Sequence, residues 1–158
     1  MPHSNFVIRR LDLTDAPTAG AAHRITKAAY FVEAKLIDFD GIPALRESLA
    51  EMRAHPLTWL GALTPDGQLA ALVAYGPATD PVEIDRVCVD PAWFRHGLAS
   101  RLLRHLMNEL APTQDLIVST GAANEPAIAL YEHLGFTRTQ DFSPVPGLTM
   151  ARFELRRP

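Results

Sequence analysis

Long apolar runs are missing from this 158-residue chain. None approaches the roughly 20 residues a helix needs to cross a bilayer, so no membrane span is expected. The polar, proline-containing N-terminal stretch lacks the apolar core of a secretory signal. Cysteine is down to one, Cys88, which excludes an intrachain disulfide and points to a reducing, cytoplasmic setting. Charge of neither sign dominates. The 15 Lys and Arg against 18 Asp and Glu leave a net −3, without the basic footprint a nucleic-acid partner needs. His3, His23, His55, His105 and His133 fall at no zinc-ligand spacing, so no metal is expected. Aromatic residues are sparse, and Trp59 and Trp93 read as packing anchors. No repeat, linker or low-complexity stretch divides the sequence. A hydrophobic content of 47% is ordinary for a globular protein, and residues 1–158 are expected to form one domain with its own core.

What is present is a readable order of elements. Residues 5–11 predict a strand, and Thr14 or Asp15 can cap a helix that runs to about residue 30. A loop carrying Glu33, Asp38, Asp40 and Gly41 is expected next, then a helix over residues 43–54. Strands over 57–63 and 68–75 flank Thr64-Pro65-Asp66-Gly67, a hairpin signal. Residues 82–89 alternate and are rich in β-branched types, and Asp90-Pro91 ends them. A helical periodicity follows at Leu98, Leu102, Leu103, Leu106 and Leu110. A buried strand over 116–119, a helix through residue 134, and a strand pair over 137–141 and 148–155 complete the chain.

Two segments carry chemistry. In Phe94-Arg95-His96-Gly97-Leu98-Ala99-Ser100, small residues sit where the first helical turn begins. Its unpaired N–H groups and the positive end of the helix dipole favour an anion there. Gly97 and Ala99 leave the main chain open to a phosphate, and Arg95 and His96 add positive charge. A packing role for Gly97 and Ala99 explains this segment equally well. Neither a dinucleotide fingerprint nor a P-loop is present. The second segment places Asn124, Ala127, Tyr131, Gly135 and Phe136 in an Asn-x-x-Ala-x-x-x-Tyr-x-x-x-Gly-Phe pattern, with Pro126 suited to the helix's first turn.

Together the two segments, spanning residues 82–136, closely resemble the GNAT superfamily of acyl-CoA-dependent N-acyltransferases. The resemblance implies an α/β (α+β) fold, with a mixed, twisted central sheet of six to seven strands and helices on both faces. It implies an N-acetyltransferase that moves an acetyl group from acetyl-CoA to a primary amine of a small molecule or peptide, by direct attack in a ternary complex. The alternative is a non-catalytic acyl-CoA-binding or regulatory module of the same fold. By the same carry-over, Arg95, His96, Gly97, Leu98, Ala99 and Ser100 hold the pyrophosphate. Asn124 and Ala127 meet the pantetheine arm, and main-chain groups of Val87, Cys88 and Val89 pair with it. Tyr131 is the general acid for the departing sulfur. The acceptor pocket is expected from the first helix–loop–helix and from the last hairpin, with Phe142, Pro144, Val145 and Pro146. A homodimer stays open.

An alkylammonium must lose a proton before it can attack, so a base is needed. Glu83 stands where the family often has a carboxylate and is the first candidate; Asp85 is the second. Period two would set Glu83, Asp85, Val87 and Val89 on one face. Cys88 lacks a base partner and reads as core rather than nucleophile. Phe94 departs from the family, which usually has Gln or Arg there, and Arg95 is expected to supply the missing charge.

Overall fold

Seven strands form one sheet in the order β1-β2-β3-β4-β5-β7-β6. They are β1 (Val7–Leu11), β2 (Thr58–Leu63), β3 (Leu69–Tyr75), β4 (Val82–Val89), β5 (Leu116–Gly121), β6 (Thr137–Val145) and β7 (Leu148–Leu155). The computed structural model describes residues 5–77 and 79–158; His3 lies outside them. Every neighbouring pair is antiparallel except β4–β5. The expected mixed sheet is therefore present, with all seven strands.

Helices cover both faces. On one, Ala22 and Ile25 of α1 (Ala16–Ile37) and Met52 of α2 (Leu49–Ala54) pack on Trp59, Leu72 and Cys88. On the other, Leu102 and Leu103 of α3 (Leu98–His105) and Ile128 and Tyr131 of α4 (Glu125–His133) bury Val73, Val118 and Phe153. Among the described residues no helix is long and apolar enough to cross a membrane.

Three local departures from expectation shape the site. Helix α1 begins at its Asp15 cap but runs to Ile37, because no glycine or proline interrupts residues 31–37; Asp38 ends it in the left-handed region at φ 52°. Glu33 is therefore a helix residue, not a loop residue. The expected helix over 43–54 is a 3-10 turn, Pro43–Leu45, followed by α2. Ser48 and Glu51 restart the chain there as a reciprocal capping box. Finally, α3 continues into a π turn, Leu106–Leu110, closed by Ala111 N–H donating to the Leu106 carbonyl at 2.8 Å. The wider turn rotates the apolar stripe, so Met107 is buried and Leu110 is exposed.

Strand β4 decides where the cleft lies. It pairs with β5 only at Val82↔Leu116 and Glu83↔Ile117, and beyond Glu83 the two strands part. Its register with β3 also jumps: Ala74 opposes Arg86 while Tyr75 opposes Ile84, leaving Asp85 as the extra residue of a bulge. The bulge changes the phase of the alternation. Val82 and Ile84 pack into the same core as Val87 and Val89, whereas Cys88 joins the opposite core. The expectation that Glu83, Asp85, Val87 and Val89 share one face fails for this reason.

Candidate active site

Two cavities open where β4 leaves β5. One, of about 600 Å³, lies between α1, the end of β4, and the N-termini of α3 and α4. The other, of about 430 Å³, lies between α1, the Pro43–Leu45 turn, β4, β5, α4 and the β6–β7 hairpin. They adjoin, sharing Tyr30, Glu33, Val87, Asn124, Ala127 and Tyr131 as lining.

The larger cavity gathers most of the residues expected to hold a phosphorylated arm. Val87, Val89, Arg95, Gly97, Leu98, Ala99, Ser100, Asn124, Ala127 and Tyr131 all line it. Arg95 and Gly97 both take positive φ, 68° and 69°, so the chain doubles back before α3 and leaves Gly97 as the helix cap with no side-chain hydrogen bond to it. A Cβ on Gly97 would meet nothing within 4 Å, so the space above the turn is open. His96 does not line the cavity. Its ring instead sits edge-on to Trp93 and Phe6, with centroids 5.4 and 6.0 Å away. Cys88 points its side chain into the core, where burial pushes the thiol up to about 12, so it cannot serve as a nucleophile. Phe94, exposed at 44%, lines the same cavity.

Asn124 is the cap of α4: its Oδ1 accepts from Ala127 N–H at 3.3 Å, and its Nδ2 donates to Thr120 Oγ1 at 3.2 Å. Thr120 in turn donates to Glu33 Oε1 at 3.0 Å, and Gly121 N–H donates to the same oxygen at 3.2 Å. A chain of hydrogen bonds thus links the α4 cap to a carboxylate between the two cavities. A Cβ on Gly121 would stand 2.6 Å from Ile37 Cγ2 and 3.5 Å from Glu33 Oε1, so only glycine admits this approach of α1. Tyr131 is buried, and burial, with the nearby Glu33 and Cys88, raises its phenol above the ordinary tyrosine value. It stays protonated, as a proton donor must.

The smaller cavity holds a second network that the sequence did not suggest. Arg86 is buried and donates through Nε to Asp85 Oδ2 at 2.6 Å and through both terminal nitrogens to the two Glu47 oxygens, at 2.8 and 3.3 Å. Its guanidinium lies 5.3 Å from the Trp59 ring centroid. Burial alone would lower the Arg86 value, but its bonds to Glu47 and Asp85 push it up, so it remains charged. Burial would likewise raise Glu47, yet hydrogen bonds from Arg86 and His55, with their charge, hold it below the usual carboxylate value. Of the two expected bases, Asp85 lines this cavity and Glu83 lines neither, being exposed on β4 before the bulge. The residues missed were Tyr30, Glu47, Arg86 and Thr120, and Glu33 was expected in an acidic loop rather than on α1. Only an Arg followed directly by the apolar run Val87-Cys88-Val89, asking for partners, was a usable signal for any of them.

Comparison with known proteins agrees with this geometry. The model of the acetyltransferase (GNAT) family matches residues 22–136. The chain is 31% identical over 127 residues to UPF0157 protein YqkA of Bacillus subtilis (strain 168), covering 80% of this chain and 37% of that protein's length. It is 34% identical over 102 residues to the ribosomal protein bS18-alanine N-acetyltransferase of Escherichia coli (strain K12), covering 54% of this chain and 69% of that enzyme. The crystal structure of the Escherichia coli enzyme superposes with a TM-score of 0.73 at 25% identity, over 95% of this chain and 92% of the other. The PaiA N-acetyltransferase from Thermoplasma acidophilum, in complex with coenzyme A, shares the fold: TM-score 0.74, 14% identity, 93% and 97% coverage.

Proposed function

This chain belongs to the acetyltransferase (GNAT) family, and from that premise we propose that it transfers an acetyl group from acetyl-CoA to a primary amine of a small molecule or peptide, by direct attack in a ternary complex. The observation that carries the reading is the parting of β4 from β5, which opens two cavities meeting at Val87 and Tyr131. The larger suits the arm of a CoA thioester and the smaller suits an acceptor.

The residues fit that co-substrate. The N–H groups at the start of α3 and the Arg95 side chain face open space suited to a pyrophosphate. The edge of β4 beyond Glu83, unpaired toward β5, offers main-chain groups at Val87 and Val89 to a pantetheine chain. Bound acetyl-CoA supplies an acyl carbon activated as a thioester. Around it, a β4 N–H near Val87 donates to the acyl oxygen, where negative charge develops. Tyr131 gives its proton to the departing sulfur.

An alkylamine with a pKa near 10.4 costs about 4 to 5 kcal/mol to deprotonate at pH 7, so the acceptor side must take a proton. Asp85 and Glu33 are the carboxylates that line the meeting point of strand and cavity. Glu83, outside both cavities, reaches the amine only through water. The ribosomal protein bS18-alanine N-acetyltransferase acts on an amine by its name, which supports N-acetylation here.

The test is acetyl-CoA binding by titration calorimetry, comparing the unaltered chain with Gly97→Glu, followed by thiol release with amines. Binding lost in the variant and thiol release by the unaltered chain are expected. No binding by the unaltered chain refutes the reading, and binding without release to any amine leaves the non-catalytic module.

A further inference from the structure

We infer that the acceptor, granted the N-acetyltransferase reading on which this rests, is a primary amine carried on an apolar body with no carboxylate beside the nitrogen. Glu33 Oε2 receives its ammonium group.

Charge excludes the carboxylate. Three acids line the smaller cavity, Glu33, Glu47 and Asp85, and Arg86 is the one arginine or lysine among the described residues that line it. Every nitrogen of the Arg86 guanidinium already donates to Glu47 or Asp85. His55, the other basic group there, has Nε2 2.6 Å from Glu47 Oε2. A substrate carboxylate would enter a field of like charge whose one guanidinium is already shared between two carboxylates, which disfavours binding strongly in a partly buried site.

Glu33 is positioned for the amine. Its Oε1 is held by Thr120 and Gly121, while Oε2 has no hydrogen-bond partner among the described residues. A carboxylate fixed by one oxygen and open at the other is a preorganised acceptor for an ammonium N–H. It borders both cavities, so an amine held there lies beside the arm of the CoA thioester.

The body of the acceptor meets a different wall. Ile37, Ile42, Phe142, Leu148 and Met150 line the side away from β4. Phe142, 39% exposed on the hairpin, gives this wall an apolar surface that a hydrocarbon or aromatic substituent would cover. A second ammonium on that body, as on a polyamine, would be desolvated against these apolar surfaces, while Glu47 and Asp85 are already bonded to Arg86.

The experiment measures thiol release at saturating acetyl-CoA with three amines: phenethylamine, phenylalanine, which adds only the carboxylate, and spermidine, which adds cations. Expected is a kcat/KM for phenethylamine at least ten-fold above either of the others. Phenylalanine or spermidine matching it overturns the inference and leaves N-acetylation standing. Release with none of the three, despite acetyl-CoA binding by calorimetry, overturns the inference, and N-acetylation falls with it only if the wider amine screen also gives no release. Glu33→Gln retains an oxygen for Thr120 and Gly121 and replaces Oε2 by a donor, so it should raise the KM for phenethylamine at least ten-fold while Tm holds. An unchanged KM overturns the role given to Glu33.

Discussion

Replacing Arg86 by Met tests whether the buried ion cluster behind the acceptor cavity works as its geometry says. The guanidinium is 6% exposed, makes three hydrogen bonds to Glu47 and Asp85, and lies over Trp59. Met fills much of the same volume, so the loss is dominated by electrostatics: Glu47, whose side chain is only 10% exposed, keeps its charge without its main partner. Breaking a buried pair from one side costs about 3–5 kcal/mol. Removing both charges in Arg86→Met/Glu47→Gln should recover at least about 1 kcal/mol of that, since the one carboxylate then left without its arginine is Asp85, whose side chain is 42% exposed to water. The pH dependence follows from the same bond. In the unaltered chain the folded Glu47 value lies below its ordinary 4.5. Its stabilising contribution is therefore present above about pH 4.5 and is lost as pH falls through the folded value. Arg86→Met lacks that contribution, so the stability gap between the two proteins should be widest at pH 7 and shrink below pH 4.5. Urea unfolding at pH 7 and pH 3.5, with equal m-values, reads both quantities. A loss under 1 kcal/mol at pH 7, or a gap independent of pH, refutes the account of Arg86 as the charge that stabilises Glu47.

Tyr131→Phe removes the proposed proton donor without changing the ring that packs on Phe153; kcat should fall by about 10²-fold, more than acetyl-CoA affinity does by calorimetry, and an unchanged kcat rules the donor role out. Glu83→Gln should leave the pH–rate profile intact because Glu83 lines neither cavity, and a lost acidic limb would restore it as the base. Gly121→Ala forces Ile37 aside from a 2.6 Å contact and should cost about 1–3 kcal/mol in urea unfolding while raising the KM for the amine; a neutral result would mean α1 yields freely. Cys88, buried with its thiol near 12, should resist iodoacetamide in the folded protein and react on unfolding, and rapid native labelling would show that the β4 core opens.

The legible parts of this chain were those fixed by local chemistry. Asp90-Pro91, the Thr64-Pro65-Asp66-Gly67 turn and the Pro126 helix start mark boundaries that short-range sterics enforce whatever the surroundings, and the strands and helices beside them fall where the pattern placed them. The turn before α3 was legible for the same reason: Gly97 takes a left-handed backbone at φ 69°, which glycine adopts without strain. The hydrogen-bond networks of the smaller cavity were not, because their parts come from elements distant in sequence. Nothing near Glu33 announces Thr120 and Gly121, 87 and 88 residues away.

The choice between Glu83 and Asp85 shows the limit most sharply. Simple alternation made them equivalent, on one face with Val87 and Val89. A single unpaired residue opposite β3 breaks that equivalence, and no residue in 82–89 is a glycine or proline that would mark a bulge in advance. The bulge can form because Arg86 has strong partners on the α2 side, in Glu47 and Asp85. With strict alternation continued from Val82 and Ile84, the arginine would turn toward the α3 and α4 core, and no Asp or Glu is buried among the described residues. Burying an unpaired guanidinium there would cost several kcal/mol, far more than the ladder hydrogen bond a bulge gives up. The ion cluster and the kink in β4 are thus one feature, and it is this feature that turns Asp85 rather than Glu83 toward the smaller cavity.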